Sequence, residues 1–182
     1  MRQILVFAVL IAGWVPAAYA QTVPDPEFSL RPYAAGSDST LQSLERAQAQ
    51  MEMQVVGMGY GGANVYYTAF TPASEVRFSG RSLPKFVMKS EGGTDPAEQI
   101  VLCKGEVRKK HRRFVHIGVK MYGGARDVSS AYVKLEFKRI REGVFEIMLP
   151  RTLPPGEYAF MPLSISTGAP PAKIMLSCFG ID

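Results

Sequence analysis

The stretch AYVKLEFKRI, Ala131 to Ile140, decides the fold class, because its apolar and charged residues alternate. Val133, Leu135 and Phe137 fall on one side, and Lys134, Glu136 and Lys138 fall on the other. Successive side chains of a strand point to opposite faces. This run therefore predicts an antiparallel strand with one face on a core and one in water. FEIML repeats the pattern with Phe145, Ile147 and Leu149.

Outward from that run, short strand-like segments recur: ANVYYTAF from Ala63, KFVMK from Lys85, IVLCKGEV from Ile100, FVHIGVKMY from Phe114 and AKIMLSCF from Ala172. SGRSLP, GGTDPAEQ, GGARD and LPPG punctuate them as turns. About eight or nine strands with a turn signal every eight to twelve residues predict a mostly β fold, an immunoglobulin-like β-sandwich over residues 63–182. A small barrel is the alternative architecture. The regular strand–helix alternation of a βαβ protein is missing.

The amino-terminal part reads differently. MRQILVFAVLIAGWVPAAYA, residues 1–20, has a basic start, an apolar run and an Ala-x-Ala end, the pattern of a secretory signal peptide. Its apolar run falls short of the roughly 20 residues that span a bilayer. The expected location is therefore periplasmic or secreted, with no integral membrane segment after cleavage. Residues 21–36 form a proline-rich lead-in. In SDSTLQSLERAQAQMEMQVV, Leu41, Leu44, Gln48, Met51 and Val55 recur near the helical period behind a cap at Asp38 or Ser39. This spacing predicts one amphipathic helix over residues 37–56.

The formal charge is +5 with the histidines neutral, which favours anionic partners without specifying one. The charge concentrates in VRKKHRR, Val107 to Arg113, between two strand-like runs. A hairpin tip there would hold its cations in water, as turns usually do. If it binds a polyanion or an acidic surface, Lys109, Lys110, Arg112 and Arg113 carry the contact. No base-reading element accompanies the cluster, so specific nucleic-acid recognition is not expected.

Cys103 and Cys178 lie in separate strand-like runs. In an oxidising compartment they could form a disulfide, or they could be two buried thiols. With no C-x-x-C motif, redox catalysis is not expected. His111 and His116 are too few for a zinc site, and no G-x-S-x-G elbow occurs. GMGYGG, Gly57 to Gly62, precedes a strand-like run and lacks the Lys-Ser/Thr pair of a phosphate loop, so it reads as a passage from helix to strand. Asp38, Arg77, Arg81, Arg126 and Glu157 read as sheet-surface pairing residues. No cofactor, metal or catalytic residue is predicted.

LPPGEYAF near the end and the closing CFGID, with SLPKFVMK, DPAEQIVLCK and KHRRFV upstream, resemble a recurring signature of uncharacterised exported bacterial β-domains. The resemblance covers Val65 to Asp182. It implies a β domain in the periplasm or at the cell surface and transfers no site residue. The leading functional expectation is a non-catalytic envelope protein, a structural or protein-interaction module with an envelope protein as partner. Polyanion binding through the basic hairpin comes second, and a hydrolase without a recognisable motif third.

Overall fold

Alternating runs bury one face of a strand; runs that are apolar throughout bury both. A computed structural model of the chain describes residues 23–38, 40–120, 122–163 and 171–182. The leader assigned to residues 1–20 lies outside them. Fifteen strands occur among the described residues. In chain order they are β1 (Tyr33–Ala35), β2 (Leu41–Ser43), β3 (Glu45–Val55), β4 (Ala63–Ala69), β5 (Arg77–Phe78), β6 (Lys85–Lys89), β7 (Ile100–Lys104) and β8 (Glu106–Val107). Then follow β9 (Arg112–Val119), β10 (Ala125–Arg126), β11 (Tyr132–Val133), β12 (Glu136–Arg141), β13 (Val144–Met148), β14 (Gly156–Pro162) and β15 (Lys173–Ile181). The fold is mostly β and sandwich-like.

A small sheet has the order β12-β13-β6-β1-β2, and a large one the order β10-β9-β4-β3-β15-β14-β7-β11. Past Gly105, β7 continues into β8, and β8 pairs with β9. Strands from opposite sides of the large sheet thus meet, and the sheet curls into a half-barrel.

Two cores follow from this curl. Tyr158 and Phe160 of β14, Phe179 and Ile181 of β15, and Ile100 and Leu102 of β7 face the small sheet, where they pack with Ala34, Phe86, Met88 and Ile147. The intervening residues Ala159, Met161, Leu176, Cys178 and Cys103 point the other way, into the curl, and meet Ala49, Tyr67 and Phe114. β7, β14 and β15 are covered on both sides, which explains why VLC, EYAFM and LSCFGI lack polar alternation. Each large side chain buried there contributes about 1.5–3 kcal/mol.

The run that opened the sequence analysis serves both sheets. Tyr132 and Val133 pair with Cys103 and Leu102 in the large sheet, whereas Glu136 onward pairs with β13 in the small one. Val133, Leu135 and Phe137 all pack on the core between the sheets, as their alternation predicts.

The helix expected over residues 37–56 does not form. Its place is taken by β2 and the eleven-residue β3, which pairs with β4 on one side and β15 on the other. ERAQAQMEMQV alternates: Ala47, Ala49, Met51, Met53 and Val55 share the inner face, and Arg46, Gln48, Gln50, Glu52 and Gln54 the outer. Helix-favouring residue types obscured that period of two, and two neighbouring strands overrode their intrinsic preference. Asp38 is accordingly no helix cap; it accepts hydrogen bonds from the backbone N–H and the hydroxyl of Thr40. GMGYGG turns one strand into the next. Gly62 has φ +85°, and a Cβ there would collide with the carbonyl oxygen of Val119, so only glycine fits.

Candidate functional site

The half-barrel has two unlike ends, both set by the inner-face register of β3, β4 and β9. At the first, Glu45 of β3, Arg112 of β9 and Glu157 of β14 point inward. Arg112 is fully buried; its Nη2 donates to Glu45 Oε2 at 2.6 Å, and its Nη1 lies 3.4 Å from Glu157 Oε2. Glu157 Oε2 also accepts the backbone N–H of Ser74 at 2.7 Å, and its Oε1 accepts Arg77 Nη1 at 2.8 Å. Arg77 Nε reaches Asp182 Oδ1 at 2.7 Å. Asp182, and then Glu157, hold the Arg77 guanidinium above its ordinary range. A chain of alternating charges plugs this end.

The plug draws together GEYAF of β14 and the closing FGID. Glu157 of GEYAF is the register partner of Gly180 of FGID, and the neighbouring Tyr158 and Phe179 rings stack with centroids 5.5 Å apart. A Cβ on Gly180 would lie 2.7 Å from Arg77 Cζ and 2.9 Å from Glu157 Oε1. The glycine therefore makes room for the ion pair. Tyr158 anchors the turn before it by donating its hydroxyl to the Pro154 carbonyl at 2.7 Å. Sequence reasoning paired Arg77 and Glu157 with sheet neighbours but did not place Arg112 between two carboxylates. The one available signal was the parity that puts Arg112 on the same side of β9 as the buried Phe114.

The cysteines do not bridge. Cys103 and Cys178 are free and buried, and both are register partners of Ala159, one on each side of β14. Two strand spacings separate them by roughly 9–10 Å, beyond the ~7 Å Cα limit for a disulfide. Burial pushes both thiols up to about 12, which keeps them protonated and poorly nucleophilic at neutral pH.

At the other end the inner face runs on past the core. Met53, Val65 and Ile117 are in register, as are Val55, Ala63 and Val119. Val65 is buried, but Met53 and Val55 are 66% and 61% exposed, and Ile117 and Val119 about 40%. Met58, Tyr60 and Tyr122 stand almost bare in the turns beyond. This open mouth is lined with the residue types that make a core elsewhere on the same face. At its inner edge, a bulge in β9 places His116 against the Tyr67 ring, with centroids 5.2 Å apart. Burial lowers the His116 pKa.

The basic hairpin divides its charges. Arg112 is inside the plug and unavailable to an external polyanion. Arg113 lies over the Tyr66 ring at 4.3 Å, donates to Glu106 at 2.7 and 2.9 Å, and reaches Gln54 at 2.7 Å. Arg108 also pairs with Glu106. Lys109 and Lys110 alone of the four predicted contacts extend into solvent without an acidic partner. The turn itself is closed by the Arg108 N–H donating to the His111 carbonyl.

Among the described residues, no group of three or more His, Cys, Asp or Glu is placed to hold a metal ion, and no helix is long and apolar enough to cross a membrane. Comparison with protein-family models, curated proteins and solved structures finds no match.

Proposed function

We propose that the protein is an exported, non-catalytic protein-interaction module of the bacterial envelope, and that it docks a partner protein on the open mouth of its half-barrel. The leader pattern of residues 1–20 supports the compartment. The observation that carries the docking is the exposure of Met53, Val55, Ile117 and Val119 on a face that is core over the rest of its length. Covering apolar surface is favourable by roughly 25 cal/mol per Å², so a contiguous patch of this kind favours a partner. An immunoglobulin-like role, a sheet scaffold presenting a contact surface, belongs to the same reading.

The test is a photo-crosslinking residue at Ile117 or Val55, with Arg81 as control, in bacteria producing the chain with its own leader. A discrete protein adduct at the mouth positions, lost when Met53→Glu is added, is expected, with the mature chain in the periplasmic fraction. Adducts to lipid or to a second copy, or none above the control, overturn the docking. An uncleaved cytosolic chain overturns the export.

A second reading rests on the hairpin. Lys109, Lys110, Arg108 and His111 border an open concavity of about 640 Å³ and leave two lysine charges uncompensated. An acidic polymer would find them there. Lys109→Gln with Lys110→Gln should weaken heparin binding and flatten its salt dependence. Unchanged binding rejects this reading.

A further inference from the structure

A separate cleft lies between the lead-in and the large sheet. We infer that it binds a carboxylate carried on an alkyl chain, with Arg31 and Arg46 on the head group. The cleft holds about 660 Å³, within the ~300–1,000 Å³ usual for small-molecule sites. Phe28 and Leu30 line one side and Phe160, Ile174 and Met175 the other, so most of its wall is hydrocarbon. Arg31 and Arg46 border the same space, with no acidic residue among the described residues of the lining.

These arginines differ from those of the plug and the hairpin. Arg77, Arg108, Arg112, Arg113 and Arg141 each pair with a carboxylate, whereas Arg31 and Arg46 make no ion pair among the described residues. Arg31 is held against Phe28 and Tyr33, 5.4 and 5.2 Å from their ring centroids, and its buried Nε has no acceptor. Arg46 is oriented by donating Nη1 to Ser177 Oγ at 3.0 Å, which leaves its other donors uncommitted. Burial, and then the Arg31 charge, lower the Arg46 pKa, so the guanidinium groups repel each other across the cleft. An anion between them removes that repulsion and supplies the missing acceptors, and a carboxylate matches the planar guanidinium fork. The hydrocarbon wall then accounts for the tail.

The probe is dodecanoate below its micelle concentration, compared with dodecanol and acetate by calorimetry and methyl NMR. Dodecanoate should shift the Ile100 and Ile174 methyls and leave Ile117 and Val119 unmoved. Dodecanol, without the charge, and acetate, without the tail, should each bind at least about tenfold more weakly. Arg31→Gln with Arg46→Gln should lose about the same factor for dodecanoate and little for dodecanol. Met175→Glu alters an exposed side chain and adds a repelling charge, so it should weaken dodecanoate even if the arginine variant fails to fold. Dodecanol binding as tightly as dodecanoate, shifts at Ile117 and Val119 instead, or unchanged affinity in Met175→Glu overturns the assignment.

Discussion

The two ends of the half-barrel stand on the same strands, yet they break opposite rules. Glu45 and Val55 are ten positions apart on β3, roughly 33 Å along the strand. At the Glu45 end charged groups are withdrawn from water; at the Val55 end hydrocarbon is left in it. The buried charges pair with one another within the chain, from Glu45 through Arg112, Glu157 and Arg77 to Asp182, with the buried Arg112 Nε alone of the cluster left without an acceptor among the described residues. The exposed hydrocarbon finds no such cover among the described residues. An anomaly compensated internally is a structural device, and one left uncompensated points outside the molecule. By that comparison the plug holds the curl together, and the mouth is the proposed docking surface.

The largest effect should come from Arg112→Ala, which leaves Glu45 and Glu157 facing a cavity without their shared cation. Removing one partner of a buried ion cluster costs about 3–5 kcal/mol, read as a lowered urea midpoint. A loss below about 1 kcal/mol would make the plug no different from a surface pair. Arg112→Met with Glu45→Leu sharpens the point. It removes charge from both sides, leaves Glu157 with Arg77 and the Ser74 N–H, and should recover most of the loss.

Gly180→Ala should come next. The added methyl must displace Arg77 or Glu157, and overpacking of this kind costs about 1–3 kcal/mol. The loss should shrink when Arg77→Ala is already present, because the nearer obstacle is then gone and Glu157 is free to give way. Additive losses would instead place the strain in the backbone.

The buried thiols give the plug side a pH signature. Their folded pKa of about 12 lies above the ordinary 9.0, so below pH 9 they are protonated in both states and contribute no slope. Between pH 9 and 12 only the unfolded chain loses these protons, and stability falls as the pH rises, by about 1 kcal/mol per pH unit for each thiol. Tyr132, also pushed up to about 12, titrates in the same window. The difference in slope between the natural chain and Cys103→Ala with Cys178→Ala therefore isolates the thiols. Equal slopes would show that water reaches them when folded. A reductant should leave the melting temperature unchanged, since no bridge is there to break.

These contrasts were unequally legible in the sequence. The alternation in VKLEFK and FEIML fixed the β class, because a half-buried strand writes its burial directly into residue type. β3 carries an equally strict alternation, but in Ala, Gln, Met and Glu, whose helix preference speaks louder than their pattern. Arg112 was hidden by its surroundings: within VRKKHRR it looks like one more solvated cation, and only its parity with Phe114 separates it from Arg113. The plug as a whole was out of reach, since its members come from five strands or loops spread between Glu45 and Asp182. The mouth was not visible either. Met53 and Ile117 look like any other core residues until the register shows that the core stops before them.

The smallest stability effect should fall at the mouth, and that is what makes it diagnostic. Met53 and Val55 are more than half exposed, so Met53→Gln with Val55→Thr removes little buried area and should change the unfolding free energy by no more than about 0.5 kcal/mol. The same double change at the buried Met88 and Val87 of β6 would cost several times more, because those side chains are already covered by their own chain. Partner capture by a crosslinker at Ile117 should nevertheless disappear in the Met53/Val55 variant. If stability falls by 2 kcal/mol or more, the mouth is a packed part of the fold and the contrast between the two ends collapses. Unchanged stability with unchanged capture would leave the plug intact but move the docking surface elsewhere.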